Sequence, residues 1–366
     1  MFTKKNKSQK NIFFMNLALM QAKKILGNTS TNPAVGAVYV KNNQILAAAH
    51  TSHKGRPHAE QNIFSSLKSK ISGADLYLTL EPCSHYGKTS PCTNLIIRNK
   101  VKKVYFSILD PDKRSFNKSR NILNKYKVKT NVGLLNSQTK DFYKSYLRYK
   151  NEKLPYVNCK MAISKDYFTI NKKNKWITND YSRSRGHLIR SQHDCIITSC
   201  RTIINDNPNL NCRISGLENR SPGVIILDKN LNIPIKSNVI KNAKKNFTLI
   251  FFNKFNKKKI VLLKKKNVKI YYMPLHNNNF NLKNILIKIR KFGFSRVFIE
   301  SGINLISNFL KYNLIDNFYL FISNKKIGLN GQHSFNKINN NFLLHKKCTN
   351  EKVNLFGDKL AIYKLK

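Results

Sequence analysis

The chain has 366 residues, of which 41% are hydrophobic and 11% aromatic. This length favours two domains of about 150 residues each, and the composition excludes a small disulfide scaffold, a peptide hormone and a globally disordered chain. The formal charge of +50 is typical of proteins that bind polyanions, but basic residues occupy nearly every surface-like stretch instead of one face, so we expect no specific nucleic-acid partner.

The N-terminal segment predicts an amphipathic helix instead of a signal peptide. A basic stretch, Lys4–Lys10, precedes the apolar run Ile12–Met20, but Asn16 interrupts the run and no small-residue cleavage site follows. A helix over Asn11–Leu26, ended by Gly27, explains the same residues. No apolar stretch is long enough to cross a bilayer, and seven irregularly spaced cysteines suit a reducing compartment. We therefore expect a cytoplasmic protein without a membrane partner.

Residues 1–150 are predicted to form an α/β domain with a partly parallel sheet, because strand-like and helix-like segments alternate along them. The predicted strands are Val35–Lys41, Gln44–His50, Asp75–Leu80, Lys103–Leu109 and Lys127–Gly133. The predicted helices are His58–Lys70, Pro91–Asn99, Asn117–Tyr126 and Ser137–Tyr149.

A His-x-Glu segment and a later Pro-Cys pair form the most specific pattern in the chain. His58 and Glu60 begin one predicted helix, Cys83 follows a strand, and Cys92 stands where the next helix begins. One imidazole and two thiolates leave the fourth position of a tetrahedral zinc ion open to water, as a catalytic site requires. Glu60 would then carry the proton of that water to a leaving amine. The alternatives are a buried histidine with two unrelated cysteines, or a closed zinc site.

The spacing of the two cysteines separates this chain from most zinc deaminases. Eight residues lie between Cys83 and Cys92, whereas nucleic-acid deaminases have two residues there. The insert, with its His-Tyr-Gly-Lys segment, resembles the deaminase domain of the bifunctional deaminase–reductase family of riboflavin biosynthesis. The segments Asn32–Ala37 and Asp110-Pro111 extend the resemblance, but Asp112–Ser119 contains no glycine where the family usually has several.

This resemblance implies a cytidine-deaminase-like zinc domain with a defined substrate. The implied reaction is hydrolytic removal of an amino group from 2,5-diamino-6-(5-phosphoribosylamino)pyrimidin-4-one. An imidazole and an ammonium group in one loop suit its phosphate monoester. The residues implied to contact the substrate are Asn32, His50, His85 and Lys88.

Residues 151–366 are predicted to form a second α/β domain. The lysine- and asparagine-rich tracts within it, such as Asn253–Lys259 and Lys264–Lys269, are predicted to be loops. The predicted strands are Tyr156–Ile163, Cys195–Ser199, Gly223–Leu227, Asn246–Phe252, Val268–Tyr272, Val297–Glu300 and Ile315–Ile322. The predicted helices are Asp180–Ser191, Asn281–Lys291 and Ile303–Tyr312.

The second domain is similar to the reductase domain of the same family. Five segments occur in the family's order: Lys160–Asp166, Trp176–Thr178, Thr202–Arg213, Glu300–Gly302 and Leu314–Asp316. The resemblance implies a dihydrofolate-reductase-like fold that uses NADPH to reduce the ribosyl group of the deaminated product to a ribityl chain. Independently, a strand, a glycine and a helix in succession predict N–H groups that can receive a cofactor phosphate.

The family pattern also implies roles for individual residues of this domain. Judged singly, Trp176 is a core tryptophan, Asp206 a helix N-cap, and the arginines surface charges. Tyr167, Asn174 and Lys229 depart from the family's usual residues. The residues implied to border the cofactor are Ala162, Trp176, Thr202, Asp206 and Gly302, and those implied to hold the substrate are Arg190, Leu210, Arg213 and Glu300.

The sequence thus predicts a bifunctional enzyme of riboflavin biosynthesis with zinc and NADPH as cofactors and a phosphorylated pyrimidine as substrate. The family also implies a homo-oligomer. Two alternatives stay open: a deaminase with a degenerate reductase domain, and a basic nucleic-acid-binding protein on a zinc deaminase fold. NADPH binding by the C-terminal half would contradict the first alternative, and a steep salt dependence of oligonucleotide binding would favour the second.

Overall fold

Two mixed α/β units make up the chain, Met1–Lys153 and Leu154–Lys366. The computed structural model describes residues 4–152 and 154–366. Both units alternate helices and strands, so the α/β class that the sequence predicts is confirmed. Within these described residues, no helix combines the length and the hydropathy that a bilayer crossing needs.

The first unit alternates helices with the strands of one sheet. Its elements are, in chain order, α1 (Lys4–Ile25), β1 (Gly36–Lys41), β2 (Gln44–His50), α2 (Ala59–Ser66), β3 (Asp75–Leu80), α3 (Cys92–Arg98), β4 (Lys103–Ile108), α4 (Ser119–Lys125), β5 (Lys129–Val132), α5 (Asn136–Phe142) and α6 (Lys144–Asn151). The strand order is β2-β1-β3-β4-β5. β1 runs antiparallel to β2 and β3, whereas β3, β4 and β5 are parallel. The loops that follow β3 and β4 therefore leave the sheet at the same edge.

Helices cover both faces of this sheet, because alternate strand residues point to opposite sides. Val38 of β1 packs on one face with Met15 of α1, and Tyr39 packs on the other face with Ile63 of α2. α1 crosses β1 at Gly36, where a Cβ atom would lie 1.9 Å from a backbone oxygen of the helix. Only glycine fits this crossing, which fixes α1 against the sheet.

Three predicted helices of the first unit differ from the structure by more than two residues. α1 begins at Lys4, whereas the sequence predicts a start at Asn11. The helix predicted over Ser137–Tyr149 is wrong as a single element, because α5 and α6 are separated at Tyr143. The Tyr143 hydroxyl is hydrogen-bonded to Thr79 Oγ1 at 2.7 Å and donates to the Ala34 carbonyl at 2.9 Å, so the side chain is drawn into the core. α2 ends at Ser66, four residues before the predicted end, because the backbone at the following residue is extended.

The second unit is built on a nine-stranded sheet. Its elements are β6 (Tyr156–Ile163), β7 (Phe168–Asn171), α7 (Asp180–Arg190), β8 (Cys195–Ser199), α8 (Cys200–Asp206), β9 (Gly223–Leu227), α9 (Asn238–Lys241), β10 (Thr248–Phe252), α10 (Lys257–Lys265), β11 (Lys269–Tyr272), β12 (Leu275–His276), β13 (Asn279–Phe280), α11 (Leu282–Lys291), β14 (Arg296–Ile299), α12 (Ile303–Lys311), β15 (Asn317–Ile322), β16 (Gly331–Ser334), α13 (Asn336–Ile338), β17 (Lys347–Asn350) and β18 (Lys359–Lys364).

The main sheet of this unit has the strand order β11-β10-β9-β8-β14-β6-β15-β18-β17. The strands from β11 to β15 in this order are parallel, and β18 and β17 close the edge in antiparallel pairs. Apolar clusters cover both faces. The carboxyl ends of β8, β9 and β14 are therefore neighbours, and that edge is where α/β sheets bind their ligands.

The prediction that the lysine-rich tracts are loops is wrong for both named tracts in part, because α10 includes the end of Asn253–Lys259 and the start of Lys264–Lys269. Residues Lys257–Lys265 form α10, because Leu263 is buried among apolar residues of the sheet face. The Asn256 side chain accepts a hydrogen bond from the Lys259 amide at 3.0 Å and caps the helix. The sequence analysis also missed α8, which ends at Asp206, so the interpretation of Asp206 as a helix N-cap is wrong.

Candidate functional site

Three side chains from separate segments of the first unit meet at one point. His58 immediately precedes α2, Cys83 lies in the loop after β3, and Cys92 begins α3. The His58 Nδ1 atom lies 3.4 Å from the Cys92 sulfur and 3.8 Å from the Cys83 sulfur. All three ligand atoms lie within 4.8 Å of one another. The fold thus brings together the residues that the sequence predicts as metal ligands.

The backbone around the two cysteines prepares them for this arrangement. The Cys92 amide donates a hydrogen bond to the Cys83 sulfur at 3.3 Å, and the Thr93 amide donates to the Cys83 carbonyl at 3.2 Å. The hydrogen bond with the Cys92 thiol, together with that from His58, lowers the pKa of the Cys83 thiol to about 4. Cys83 is therefore a thiolate at neutral pH, which is the form that binds metals.

Glu60 lies beside this cluster, in the first turn of α2. Its side chain is only 3% exposed, and it contacts the Cys92 thiol. Burial raises the pKa of the Glu60 carboxyl above its ordinary value. A carboxyl with a raised pKa can both take up and release a proton near neutral pH, so this position suits an acid–base group.

Asn32 and His50 are tied to the segment that leads to His58. The Asn32 side chain donates a hydrogen bond to the Gly55 carbonyl at 2.8 Å. Gly55 has a φ of +88°, and a Cβ atom there would lie 2.7 Å from the Asn32 Cβ, so this close approach needs glycine. The Asn62 side chain of α2 donates to the His50 carbonyl at 2.7 Å. Both predicted substrate residues are thus fixed relative to the helix that carries Glu60.

His85 and Lys88 lie in the loop between the two cysteines. The His85 Nδ1 atom lies 2.8 Å from the buried Ser115 hydroxyl. Burial lowers the pKa of His85. Lys88 is exposed and makes no hydrogen bond or ion pair with the residues that the structure describes. The loop therefore presents one fixed imidazole and one ammonium group that is available to a ligand.

The segment Asp112–Ser119 keeps a defined loop without glycine because the buried Glu81 side chain holds it. Glu81 Oε2 accepts hydrogen bonds from the amides of Asp110 at 3.1 Å and Asn117 at 3.0 Å. Its Oε1 accepts from the Ser119 amide at 3.2 Å and the Ser119 hydroxyl at 2.6 Å. Asn117 adopts a φ of +54°, which asparagine tolerates better than most residues. The sequence analysis assigned no role to Glu81.

In the second unit, Arg190 and Glu300 are partners of each other. Arg190 lies at the end of α7 and Glu300 directly after β14. The guanidinium group donates two hydrogen bonds to the Glu300 carboxylate, each 2.8 Å long. Burial raises the pKa of Glu300, but the Arg190 charge outweighs burial and holds it below its ordinary value. The interpretation of Arg190 as a plain surface charge is therefore wrong.

His187 links this ion pair to Arg213, and the sequence analysis did not single it out. The Arg190 Nη1 atom donates to the Asn211 carbonyl at 2.5 Å, and the His187 Nδ1 atom lies 3.1 Å from the same oxygen. The Arg213 Nε and Nη2 atoms lie 3.3 Å and 3.1 Å from His187 Nε2. The buried Leu210, with a φ of +51°, precedes Asn211 in this loop. One signal was available, because His187 lies three residues before Arg190 and shares its helix face.

The predicted cofactor residues occupy several parts of the second unit. Thr202 and the segment before Gly302 are adjacent, since the Thr202 and Ser301 hydroxyl oxygens lie 3.1 Å apart. Trp176 is 52% exposed, so the interpretation of it as a core residue is wrong. Ala162 lies on β6 and packs against the apolar cluster of one sheet face. Burial raises the pKa of Asp206.

A cavity of about 430 Å³ opens where β8 and β9 end. Ser199, Arg201 and Asn205 line one part of it, and Asp228 and Lys229 line another. Asp228 is buried, and its carboxylate accepts hydrogen bonds from backbone amides at 2.9 Å and 2.8 Å. Arg201 makes no hydrogen bond or ion pair with any residue in the described ranges. Lys229 Nζ donates a hydrogen bond to the uncharged Asn278 carbonyl at 3.0 Å and keeps its charge, so the cavity contains two cationic side chains.

Two protein-family models match the chain. The model of the cytidine and deoxycytidylate deaminase zinc-binding region matches residues 8–108. The model of the RibD C-terminal domain matches residues 155–362. The two matches fall in the two compact units.

Similar proteins extend these matches over nearly the whole chain. The riboflavin biosynthesis protein RibD of Aquifex aeolicus is 33% identical over 355 residues, which cover 96% of this chain and 97% of that protein. RibD of Bacillus amyloliquefaciens is 32% identical over 86% of this chain and 85% of its own length. A solved Thermotoga maritima structure, described as a diaminohydroxyphosphoribosylaminopyrimidine deaminase/5-amino-6-(5-phosphoribosylamino)uracil reductase, has a TM-score of 0.83 at 27% identity and covers 98% of this chain and 100% of its own. The chain belongs to the RibD family of riboflavin biosynthesis proteins.

Proposed function

We propose that the chain catalyses two successive steps of riboflavin biosynthesis. The first is hydrolytic deamination of 2,5-diamino-6-(5-phosphoribosylamino)pyrimidin-4-one, and the second is NADPH-dependent reduction of the ribosyl group to a ribityl chain. We assign the first step to residues 1–150 and the second to residues 151–366. The observation that carries the proposal is the buried Glu60 beside the cluster of His58, Cys83 and Cys92, in a chain of the RibD family.

The donor atoms of the cluster fit a zinc ion. In a tetrahedral site with Zn–N of about 2.0 Å and Zn–S of about 2.3 Å, a nitrogen and a sulfur ligand lie about 3.5 Å apart. The His58 nitrogen lies 3.4 Å and 3.8 Å from the two cysteine sulfurs. When bound, zinc lowers the pKa of a water molecule to about 7 and so supplies a nucleophile at neutral pH.

Glu60 is our candidate for the acid–base group of deamination. Its carboxylate would accept the proton of the attacking water and return it to the amino group that leaves. Burial supports this role, because it raises the pKa of Glu60 towards the working pH. The side chain also contacts Cys92 without being one of the three donors of the cluster.

The loop between the two cysteines is our candidate for substrate recognition. His85 is held by Ser115, and Lys88 lacks a partner among the described residues. We infer that both contact the ribosyl phosphate of the substrate, where a fixed donor and a mobile cation are complementary to a phosphate monoester. Asn32 and His50 would contact its base or ribose.

The second unit is our candidate for the reduction. We infer that Arg213 and Arg190 hold the phosphorylated substrate with Leu210 and Glu300, because Arg213 has no acidic partner in the described ranges. The cofactor NADPH carries the hydride that is transferred, so the protein has to bind and orient the two reactants. We assign the cofactor to the region of Thr202, with Ala162, Trp176, Asp206 and Gly302 at its border.

The cavity at the ends of β8 and β9 supports NADPH as the cofactor. Lys229 and Arg201 provide positive charge in it, and the 2′-phosphate distinguishes NADPH from NADH. Calorimetric titration of the full chain with 2′,5′-ADP and with 5′-AMP measures this preference without turnover. Lys229→Ser should weaken 2′,5′-ADP binding about 5- to 10-fold and 5′-AMP binding less, as expected for one partly exposed charge pair. Equal losses for both probes would contradict the assignment.

Mass spectrometry of the zinc-loaded chain with the diaminopyrimidinone ribosylphosphate tests both reactions. Deamination replaces an amino group by oxygen and raises the substrate mass by about one unit. Adding NADPH should give a further gain of about two units for the reduction. The first gain without the second would contradict the reductase assignment, and neither gain would contradict the whole proposal.

We also propose a cytoplasmic location. The seven cysteines are free thiols, and all but Cys348 are buried or half-buried. Free thiols persist in reducing compartments. Cell fractionation tests this location, and recovery of the chain in an exported fraction would contradict it.

A further inference from the structure

His187 occupies the centre of the arginine cluster in the second unit. One nitrogen of its ring faces Arg213, and the other faces the Asn211 carbonyl and the Arg190 guanidinium group. The residue is buried on α7, one turn before Arg190. This placement makes the ring a link between the helix and the loop that carries Arg213.

The two contacts with Arg213 favour one form of this ring. Both Arg213 contacts reach Nε2, at 3.3 Å and 3.1 Å, and a guanidinium group can only donate, so Nε2 must be unprotonated. The Nδ1 atom then carries the proton and donates to the Asn211 carbonyl at 3.1 Å. Arg190 Nη1 lies 3.2 Å from the same Nδ1 atom, but it donates to the Asn211 carbonyl at 2.5 Å and makes no hydrogen bond to the ring in this form. Burial, followed by the charges of Arg190 and Arg213, lowers the pKa of His187 to about 4, which keeps the ring neutral.

Arg190 and Arg213 differ in whether a carboxylate neutralises their charge. Arg190 donates two hydrogen bonds to the Glu300 carboxylate. Arg213 is exposed, and its hydrogen-bond partner within residues 4–152 and 154–366 is the uncharged His187 ring. Its positive charge is therefore available to an anion, while its position is fixed by a neutral acceptor. An arginine that is already oriented loses less conformational entropy when it binds a phosphate.

We propose that His187 is a positioning residue, which holds Arg213 in the orientation that receives the substrate phosphate during reduction. This inference rests on the proposed reductase function of the second unit. His187 itself need not touch the substrate. Its effect should therefore appear in substrate binding and depend on Arg213.

Two substitutions separate the acceptor from the bulk of the ring. His187→Leu removes the acceptor and keeps an apolar side chain, whereas His187→Gln keeps an oxygen acceptor at a similar distance from the backbone. We expect His187→Leu to raise the KM for the deaminated substrate about 10- to 100-fold, as for loss of a hydrogen bond to a charged group, with kcat little changed. His187→Gln should restore most of the affinity. His276→Leu, at an exposed histidine of the same unit, is the matched control.

A double-mutant cycle tests whether the effect passes through Arg213. In an Arg213→Ala background, His187→Leu should raise KM no further, because the residue that it positions is absent. Additive effects, an unchanged KM, or a fall in kcat at constant KM would overturn the proposal. Urea unfolding of the same preparations, followed by circular dichroism, reports whether the second unit is folded, since both substitutions lie there.

Binding of D-ribose 5-phosphate separates failure of this inference from failure of the proposed reductase. Titration of the full chain with this probe needs no turnover. If the wild-type chain binds the probe and His187→Leu binds it about tenfold more weakly or worse, the positioning role stands even when no NADPH is oxidised. If the variant and the wild type bind it equally, the positioning role is refuted, whatever the reductase activity is.

Discussion

The Glu81 side chain allows a quantitative test of how the glycine-free loop of the first unit is held. Its two oxygens accept four hydrogen bonds, from the amides of Asp110, Asn117 and Ser119 and from the Ser119 hydroxyl. Glu81→Gln keeps the shape of the side chain but replaces one acceptor oxygen by an NH2 group, which can only donate hydrogen bonds. The most favourable orientation directs the glutamine NH2 group at Ser119, because the Ser119 hydroxyl can rotate and accept a hydrogen bond from it. The backbone N–H of Ser119 then loses its acceptor.

The expected cost follows from these contacts. One buried amide is left without an acceptor, and three bonds to a charged group become bonds to a neutral one, so the loop should lose about 3 kcal/mol of local stability. Hydrogen exchange at the Ser119 amide should accelerate about 100-fold, since a tenfold change corresponds to about 1.4 kcal/mol. Ser119→Ala removes only the hydroxyl bond to the carboxylate and should cost about 1.5–2 kcal/mol.

Exchange measured by NMR or by mass spectrometry at single-residue resolution checks this prediction. Asp141→Asn is the matched control, because Asp141 forms an exposed ion pair with Lys144 and should change little. Unchanged exchange at Ser119 would refute the reasoning. Equal acceleration throughout the first unit would refute it as well, because the anchoring is local.

Three further predictions concern the two sites and the core of the second unit. Glu60→Gln should retain zinc and abolish deamination, and substantial turnover in the same mass-spectrometric assay would remove Glu60 as the proton carrier. Cys83→Ala should lose the metal, so full zinc occupancy by elemental analysis would exclude Cys83 from the ligands. Burial raises the pKa of Asp194 from its ordinary value of 3.8 to about 6. The folded state therefore binds this proton more tightly than the unfolded state, and the resulting stabilisation is complete below about pH 4 and is lost as pH rises through about 6. Asp194→Asn keeps the acceptor oxygen for Ser295 and Arg296 and should flatten the pH dependence of urea unfolding between these values, whereas an unaltered pH profile would contradict the assignment.

Five strands begin and end at the predicted residues. β3, β6, β8 and β9 are largely buried, and β2 lies at a sheet edge. Runs rich in apolar and β-branched residues predict the buried strands. α10 was not predicted, because lysines make up most of its sequence and the helical spacing of Ile260 and Leu263 is too short a pattern to stand out. β7 was not predicted either, because it pairs with β16, more than a hundred residues later, and a local pattern contains no information about so distant a partner.

The same distinction separates the predicted site residues from those that support them. Metal ligands and their acid–base neighbour follow a fixed spacing, so a motif is sufficient to find His58 and Glu60. The supporting residues act through partners that only the fold brings near. Ser115 lies 30 positions from His85, and Glu81 lies up to 38 positions from the amides that it holds. The sequence alone does not identify such polar residues, because their contacts depend on how the intervening segments fold.

The positions where this chain departs from its family are compatible with its backbone. Tyr167 stands where the family usually has glycine, and Asn117 lies in the segment Asp112–Ser119, where the family usually has several. Both adopt left-handed conformations, with φ of +67° and +54°. A side chain raises the energy of that conformation by about 1–2 kcal/mol, which surrounding hydrogen bonds can offset. Tyr167 donates its amide to Ser164, and the Asn117 amide is held by Glu81. The hydrogen bonds of Ser164 and Glu81 therefore hold two turns whose backbone conformation would otherwise favour glycine.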